Sequence, residues 1–405
     1  MDNNLEVYAN GLRFENPFIL ASAPPTATGA LIRRAFEAGW AGAVTKTISN
    51  DIENFNASPR LSVLMDKKVI IGLENIEMLS DKPLSYWLKE IQDIKQEYPS
   101  KILIVSIMGT EGLESWQKIT RQVTEAGADA LELNFSCPNG VTAQGSGAAI
   151  GQNEHAIEVI TRGVKAVTHL PVIVKLTPNV TSIASAAEAA VKGGADGLCA
   201  INTVSALIGL DVETLNPLPD IGGYSTFGGL SGACVKPIGL RCVAEIAKSL
   251  ENVAAQEPGG NNISIYATGG ISNWKDAVEY ISVGAGVVQI CTEVMLRGMS
   301  IITDLTNGLD SYMKRKEINS VGEICGAALN KLTSHQALNR NYRVHAWIDE
   351  SKCSLCGSCM EICSESANDS IFLNDDIIEV DSQKCSGCSL CSYICPLHAI
   401  SMITG

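Results

Sequence analysis

Residues 171–202 read PVIVKLTPNVTSIASAAEAAVKGGADGLCAIN, and the fold turns on how this stretch divides. Val172–Leu176 is a short β-branched run, and Ile183–Lys192 sets Ala186, Ala189 and Ala190 at the spacing of one helical face. Gly194-Ala195-Asp196 then supplies a left-handed helix cap, and Gly197–Asn202 begins a second apolar run. Strand, helix and strand within about thirty residues make a parallel βαβ unit.

Working outward, the same alternation recurs eight times before residue 310. The predicted strands are Pro17–Ser22, Ala41–Thr45, Ile102–Ile107, Ala130–Asn134, Val172–Leu176, Gly197–Asn202, Ile263–Thr268 and Gly286–Cys291. Between them, helices are predicted over Ala30–Ala38, Leu84–Glu97, Glu114–Ala126, Glu154–Thr168, Ile183–Lys192, Lys236–Lys248 and Trp274–Ser282, with another from Glu293 onward. Gly127-Ala128-Asp129 and Gly284-Ala285-Gly286 repeat the helix-to-strand junction. Eight units predict a TIM (β/α)8 barrel over residues 1–308. The absence of an early GxGxxG weighs against a doubly wound dinucleotide fold. Residues 309–343 turn polar and predict a helical connector, and residues 344–405 form a separate cysteine-rich module.

The chain has 405 residues, a formal charge of −14 and 18% charged residues. So acidic a protein is a poor match for nucleic acid or an anionic membrane, which need positive patches. No apolar run reaches about 18 residues, and the start lacks a basic segment followed by an apolar one, so a soluble cytoplasmic protein is expected. The module carries nine acidic side chains against Lys352 and Lys384, which suits a basic docking face on a partner.

Eight of the fourteen cysteines lie in Cys353-x2-Cys356-x2-Cys359-x3-Cys363 and Cys385-x2-Cys388-x2-Cys391-x3-Cys395-Pro396. A zinc ribbon uses two cysteine pairs across a long gap, whereas steps of three place three sulfurs on one iron-sulfur cube and send the fourth to its neighbour. Two [4Fe-4S] clusters are therefore expected in a ferredoxin-like α+β module. One would be held by Cys353, Cys356, Cys359 and Cys395, the other by Cys385, Cys388, Cys391 and Cys363. The pattern resembles bacterial ferredoxins, with Ser364 where proline often stands.

Clusters pass single electrons, so the barrel should hold a converter to two-electron chemistry, for which flavin is suited. The loops after the seventh and eighth strands, ATGGI (267–271) and QICTEV (289–294), sit where TIM barrels bind phosphate. Gly269 and Gly270 let backbone N–H groups approach it, and Cys291 and Thr292 open the next helix. Lys46 and Lys175 end apolar strands and should point into the barrel mouth. Lys175 is suited to the N1/O2 edge of a reduced flavin, and Lys46 to its O4/N5 region or ribityl chain. Asn75, Asn134, Asn139, Asn179 and Asn202 fall at mouth positions, where each offers donors and an acceptor to a pyrimidine ring. Cys137, in a glycine-rich loop at the catalytic face, is a candidate proton donor.

Taken together, NFSCPNG (134–140), KLTPNV (175–180), INTVSALIGL (201–210), ATGGI and GLENIEMLS (72–80) resemble the FMN barrel of the dihydropyrimidine dehydrogenases. The order barrel, connector, two-cluster ferredoxin is similar to the pyrimidine-reducing subunit of the bacterial NAD-dependent members. Part of the barrel pattern is shared with dihydroorotate dehydrogenases. The resemblance implies that Cys137 gives a proton to C5 of the pyrimidine while FMN reduces C6. It implies that Asn75, Asn134, Asn202 and Thr203 hold the ring, with Glu77 nearby; Asn139, a further substrate-binding candidate, stands where the mammalian relative has His and the dihydroorotate enzymes have Asn. Ser22, Lys46, Lys175, Gly232, Gly269, Gly270, Cys291 and Thr292 match FMN-binding positions. It further implies a homodimer within a heterotetramer, completed by a subunit carrying FAD and the NAD(P)H site. Three alternatives compete: a dihydroorotate dehydrogenase with an appended ferredoxin, a reductase of another unsaturated cyclic amide, and a non-catalytic electron carrier.

Overall fold

The computed structural model describes residues 5–50, 56–110, 112–135, 148–256 and 263–404, and the chain forms two compact units, 1–331 and 332–405. In the first unit eight parallel strands close into a barrel in chain order. They are β1 (Phe18–Leu20), β2 (Gly42–Val44), β3 (Ile102–Ile107), β4 (Ala130–Asn134), β5 (Val172–Leu176), β6 (Gly197–Ala200), β7 (Ser264–Thr268) and β8 (Val287–Ile290). Closure comes from β8 pairing with β1, Gln289 opposite Ile19. All eight expected strands are present, their sequence-based ends overshooting by up to two residues where the chain leaves the ladder.

The surrounding helices are α1 (Gly29–Ala38), α2 (Leu84–Glu97), α3 (Gly112–Glu125), α4 (Glu154–Lys165), α5 (Ile183–Lys192), α6 (Lys236–Gln256), α7 (Trp274–Ser282) and α8 (Ile301–Lys316). In α5 the Ser182 hydroxyl caps the Ser185 N–H, and Ile183, Ala186, Ala187, Ala189 and Ala190 are buried. This small-residue stripe lets the helix lie close on the sheet. Helix α6 runs past its expected end at Lys248 because no stop signal precedes Pro258-Gly259. The Gly-Ala-Asp junctions do more than cap. Gly127 and Gly194 adopt φ of +94° and +89°, and the following aspartates reach back to the preceding strand. Asp129 accepts from the Leu103 N–H and Asp196 from that of Val172, each at 2.7 Å.

The barrel floor is closed by a hairpin, Val7–Ala9 with Leu12–Phe14. Its tip residue Asn10 donates to the Asp196 carbonyl and accepts from the Tyr266 hydroxyl. At the opposite end, segments following β2 and β6 build a four-stranded antiparallel sheet in the order Val204–Ala206, Gly228–Ser231, Val69–Asn75, Leu61–Asp66. Glu74, fully buried in this sheet, accepts from the Ile208 N–H at 2.8 Å and the Gly228 N–H at 2.9 Å. A Cβ at Gly228 would stand 2.6 Å from Glu74 Cγ, so the close approach requires glycine.

The stretch read as one helical connector divides. Ile301, Ile302, Leu305, Leu309 and Met313 keep one buried stripe across the expected boundary at 308, so α8 belongs to the barrel layer. Val321, Ile324 and Leu329 beyond it are buried in the barrel's core. The second unit pairs Val344–Ile348 with Ile400–Thr404 and Ile371–Asn374 with Ile377–Val380, and adds helices Ser358–Ser366 and Leu390–Ile394. Its buried core is Ala346, Ile348, Cys359, Cys363, Ile371, Ile378, Cys391 and Ile400.

Candidate active site and cluster cages

A cavity of about 680 Å³ opens at the C-terminal end of the barrel strands, within the range of cofactor sites. Side chains far apart in sequence converge there because every barrel strand ends at the same rim. From β1 and β2 come Ser22, Lys46 and Thr47; from β4, Asn134; from β5, Lys175. Asn202 and Thr203 follow β6, Gly269 and Gly270 follow β7, and Cys291 and Thr292 follow β8. Asn75, Glu77 and Gly232 enter from the antiparallel sheet and the turns beside it. Cys137 and Asn139 lie outside the described residues.

Polar contacts fix most of these groups. Thr47 Oγ1 accepts from Asn134 Nδ2 at 2.9 Å and lies 3.2 Å from the Ser22 hydroxyl and 2.9 Å from that of Ser106. Asn202 donates to Asn134 Oδ1 at 3.4 Å and accepts from the Thr203 N–H at 2.9 Å. Asn179 does not line the cavity. It donates to the Thr203 carbonyl and accepts from the Ser205 N–H, fixing the segment that carries Thr203. Lys46 donates to Glu77 at 2.8 Å, and Arg60 lies 3.4 Å from the other Glu77 oxygen.

Of the two buried lysines in the site, Lys175 lies deeper. Its ammonium has two long contacts, each 3.4 Å, to Glu132 Oε1 and Gln289 Oε1, and Gln289 in turn donates to Glu132 Oε2 at 2.9 Å. Burial is the largest influence and works against the Lys175 charge, but the Glu132 carboxylate together with Cys199 and Cys291 holds the ammonium above the ordinary lysine range. Burial also pushes the Cys291 thiol up to about 11, although Lys46 and Lys175 pull the other way.

These residues fit FMN. The loosely bonded ammonium of Lys175 faces the cavity, where an anionic ring edge would complete its hydrogen bonding. At the far end Gly269 and Gly270 adopt φ of +120° and +74°, and a Cβ on Gly270 would stand 2.6 Å from the Lys236 nitrogen. Bare backbone there suits a phosphate.

The cysteines of the second unit divide between two small cavities. Cys363, Cys385, Cys388 and Cys391 line one, and Cys353, Cys356, Cys359 and Cys395 line the other. Each set takes three thiols from one motif and one from its partner. The donor chemistry fits a cube held by thiolates. Ser370 N–H donates to Cys363 Sγ at 3.4 Å and Ala399 N–H to Cys395 Sγ at 3.3 Å, contacts that tune a bound cluster.

A family profile described as dihydroorotate dehydrogenase matches residues 4–313. The chain belongs to the dihydroorotate dehydrogenase family. A second profile, a 4Fe-4S dicluster domain, matches residues 346–402. Among family relatives, the chloroplastic dihydropyrimidine dehydrogenase (NADP(+)) of Arabidopsis thaliana is 37% identical over 83% of this chain and 79% of its own length. The NAD-dependent dihydropyrimidine dehydrogenase subunit PreA of Escherichia coli is 35% identical over 92% of this chain and 88% of its own. The catalytic subunit of dihydroorotate dehydrogenase B (NAD(+)) of Pyrococcus horikoshii is 39% identical over 98% of its length but 80% of this chain. The resemblance read from the motifs is thus borne out, and with it the cofactors, FMN in the barrel and two [4Fe-4S] clusters in the module.

Sequence reading missed Glu132, Gln289 and Thr47. A signal for the first was available, since Glu132 and Asn134 are two apart in the strand ALELN and therefore share its inward face. A charged residue inside so apolar a run needs a buried partner.

Proposed function

We propose that this chain reduces the C5–C6 double bond of a uracil- or thymine-like pyrimidine, using electrons that enter through its two [4Fe-4S] clusters from a partner subunit bearing FAD and an NAD(P)H site. The observation carrying this reading is the convergence of Asn75, Asn134, Asn202 and Thr203 with Lys175 and the Gly269-Gly270 turn in one cavity, in a chain that also carries two four-thiol cages. A relative named as a dihydropyrimidine dehydrogenase subunit aligns over both units.

Bound FMN supplies the conversion of single electrons into two-electron reduction. The remaining work falls to the protein. Backbone N–H groups of Gly269 and Gly270 hold the phosphate, while Ser22, Gly232, Cys291 and Thr292 shape the cavity around the cofactor. Lys175 would set a positive charge beside the bound flavin ring, and Lys46, oriented by Glu77, would donate to the cofactor. The asparagines and Thr203 present donors and acceptors to the substrate's imide and amide edges, fixing which carbon faces the flavin. The Cys137 thiol delivers the proton to C5, and Asn139 belongs to the substrate shell.

The working assembly in this reading is a cytoplasmic homodimer within a heterotetramer. No helix among the described residues is long and apolar enough to cross a membrane. The test is anaerobic turnover of the purified chain with a reduced artificial donor, offered uracil, thymine or orotate. Uracil- or thymine-dependent reoxidation supports the reading. Orotate as the sole oxidant would assign a dihydroorotate dehydrogenase with an appended ferredoxin, and no turnover with any cyclic amide would leave an electron carrier.

A further inference from the structure

Beneath the cavity a carboxylate with no assigned role underlies Lys175, the more deeply buried of the two buried lysines that line it. Glu132 is fully buried on β4, Lys175 nearly so on β5, and Gln289 on β8 bridges them. We propose that Glu132 is a positioning residue whose charge keeps Lys175 protonated in its dry setting, so that a fixed cation faces the flavin ring at every working pH. This rests on the flavin reading above and assigns Glu132 no contact with substrate or cofactor.

The geometry gives the reason. A lone ammonium at this depth would shed its proton, since burial alone can lower a lysine pKa by several units. Charge balance for Lys175 comes from β4, where Glu132 stands 3.4 Å away. The other titratable groups that interact with the pair are Cys199 on β6, Tyr266 on β7 and Cys291 after β8. Burial raises all three; Cys199 and Cys291 add to the pull on Lys175, but among the described residues Glu132 is the carboxylate that pairs with its ammonium. Gln289 orients the carboxylate by donating to the oxygen that does not meet Lys175. Because both Lys175 contacts are long, the ammonium keeps bonding capacity toward the cavity.

Glu132→Gln removes the charge at nearly constant shape. In the FMN-free protein the expected result is a change in the pH dependence of stability. Wild-type Lys175, its folded pKa raised, contributes stability that holds through neutral pH and fades only as pH rises through that value. In the variant the folded pKa falls below the unfolded one, so the folded state binds fewer protons between the two. Stability relative to wild type should then rise with pH over about pH 6 to 9. In the FMN-loaded protein, the ratio of affinities for reduced and oxidised flavin should fall on the order of tenfold as Lys175 deprotonates, equivalent to about 30 mV for a two-electron couple. Wild type should show no such break.

The double variant Glu132→Gln/Lys175→Met, which carries neither charge, should lack both pH effects. If the single variant fails to accumulate while the double does, the requirement for Glu132 is traced to the Lys175 charge and the proposal stands. If both fail, or if the single variant keeps the wild-type pH profile, the proposal is overturned. A variant that weakens reduced and oxidised flavin equally also overturns it. Failure to bind FMN at all, with the FMN-free stability shift intact, would overturn the flavin reading while leaving the ion-pair role standing.

Discussion

The barrel gathers its site from positions between Ser22 and Thr292, one or a few residues from each of seven strand ends, whereas the second unit draws all its cluster thiols from Cys353 to Cys395. The barrel also has a core independent of its cofactor, with Trp40, Trp87 and Trp116 fully buried among aliphatic side chains. In the second unit three of the eight buried core residues, Cys359, Cys363 and Cys391, are cage cysteines. Its interior is therefore partly made of its ligands. Loss of the cofactor should leave the barrel folded with an open cavity and deprive the small unit of a structural element.

The strongest test of that contrast is Cys391→Ala. Iron should be lost, the second unit should melt early and partner-driven reduction should fall to background, while FMN content stays near one per chain. Iron-to-flavin ratio and turnover with the partner subunit check this. Full iron content in the variant would break the comparison.

Cys137→Ala should slow flavin reoxidation by pyrimidine on the order of 10²- to 10⁴-fold, the range for a positioned proton donor, with both cofactors retained. Stopped-flow absorbance checks it. Cys137→Ser should keep little activity, because a hydroxyl is a much weaker acid than a thiol.

Glu74→Ala strands the Ile208 and Gly228 N–H groups, each unsatisfied group costing about 1–3 kcal/mol, and should destabilise the barrel by roughly 2–5 kcal/mol. Substrate KM should rise more than kcat falls, since Asn75 is Glu74's neighbour and Thr203 Oγ1 occupies the space a Cβ on Gly229 would take. Calorimetry and steady-state kinetics separate the two effects. The smallest expected effect concerns Cys291. With its thiol pushed up to about 11 by burial, alkylation of the FMN-free protein should stay slow through about pH 9 and accelerate only beyond it. Rapid labelling at neutral pH, followed by mass spectrometry, would show that the site is wetter than the structure implies.

The same contrast explains what the sequence disclosed. Cluster cages depend on short spacings, so both ligand sets could be read from x2-x2-x3 alone, exchange included. The barrel announced itself through β-branched runs alternating with helical stripes. Its mouth sheet did not, because Leu61–Asp66 and Val204–Ala206 are short and half exposed and carry no sustained alternation. Within the site, lysine and asparagine stood out at strand ends. Gln289 sits deeper, on a strand that otherwise reads as a plain apolar run, and its bond to Glu132 emerges only when β4 and β8 belong to one closed barrel. Asn179 shows the converse, since a mouth position alone does not separate a residue that faces the cavity from one that braces its neighbour.

The exchange of Cys363 and Cys395 between the two cages makes the metal sites interlocking. A chain that acquired only one cube would have its two motifs already tied together by the lent thiol, while the vacant cage keeps all four of its own sulfurs. Each loading event thus preorganises the other. Under iron scarcity a population of such chains should sort into filled and empty molecules, with few half-loaded ones, so that shortage lowers the number of competent enzymes and spares the quality of each.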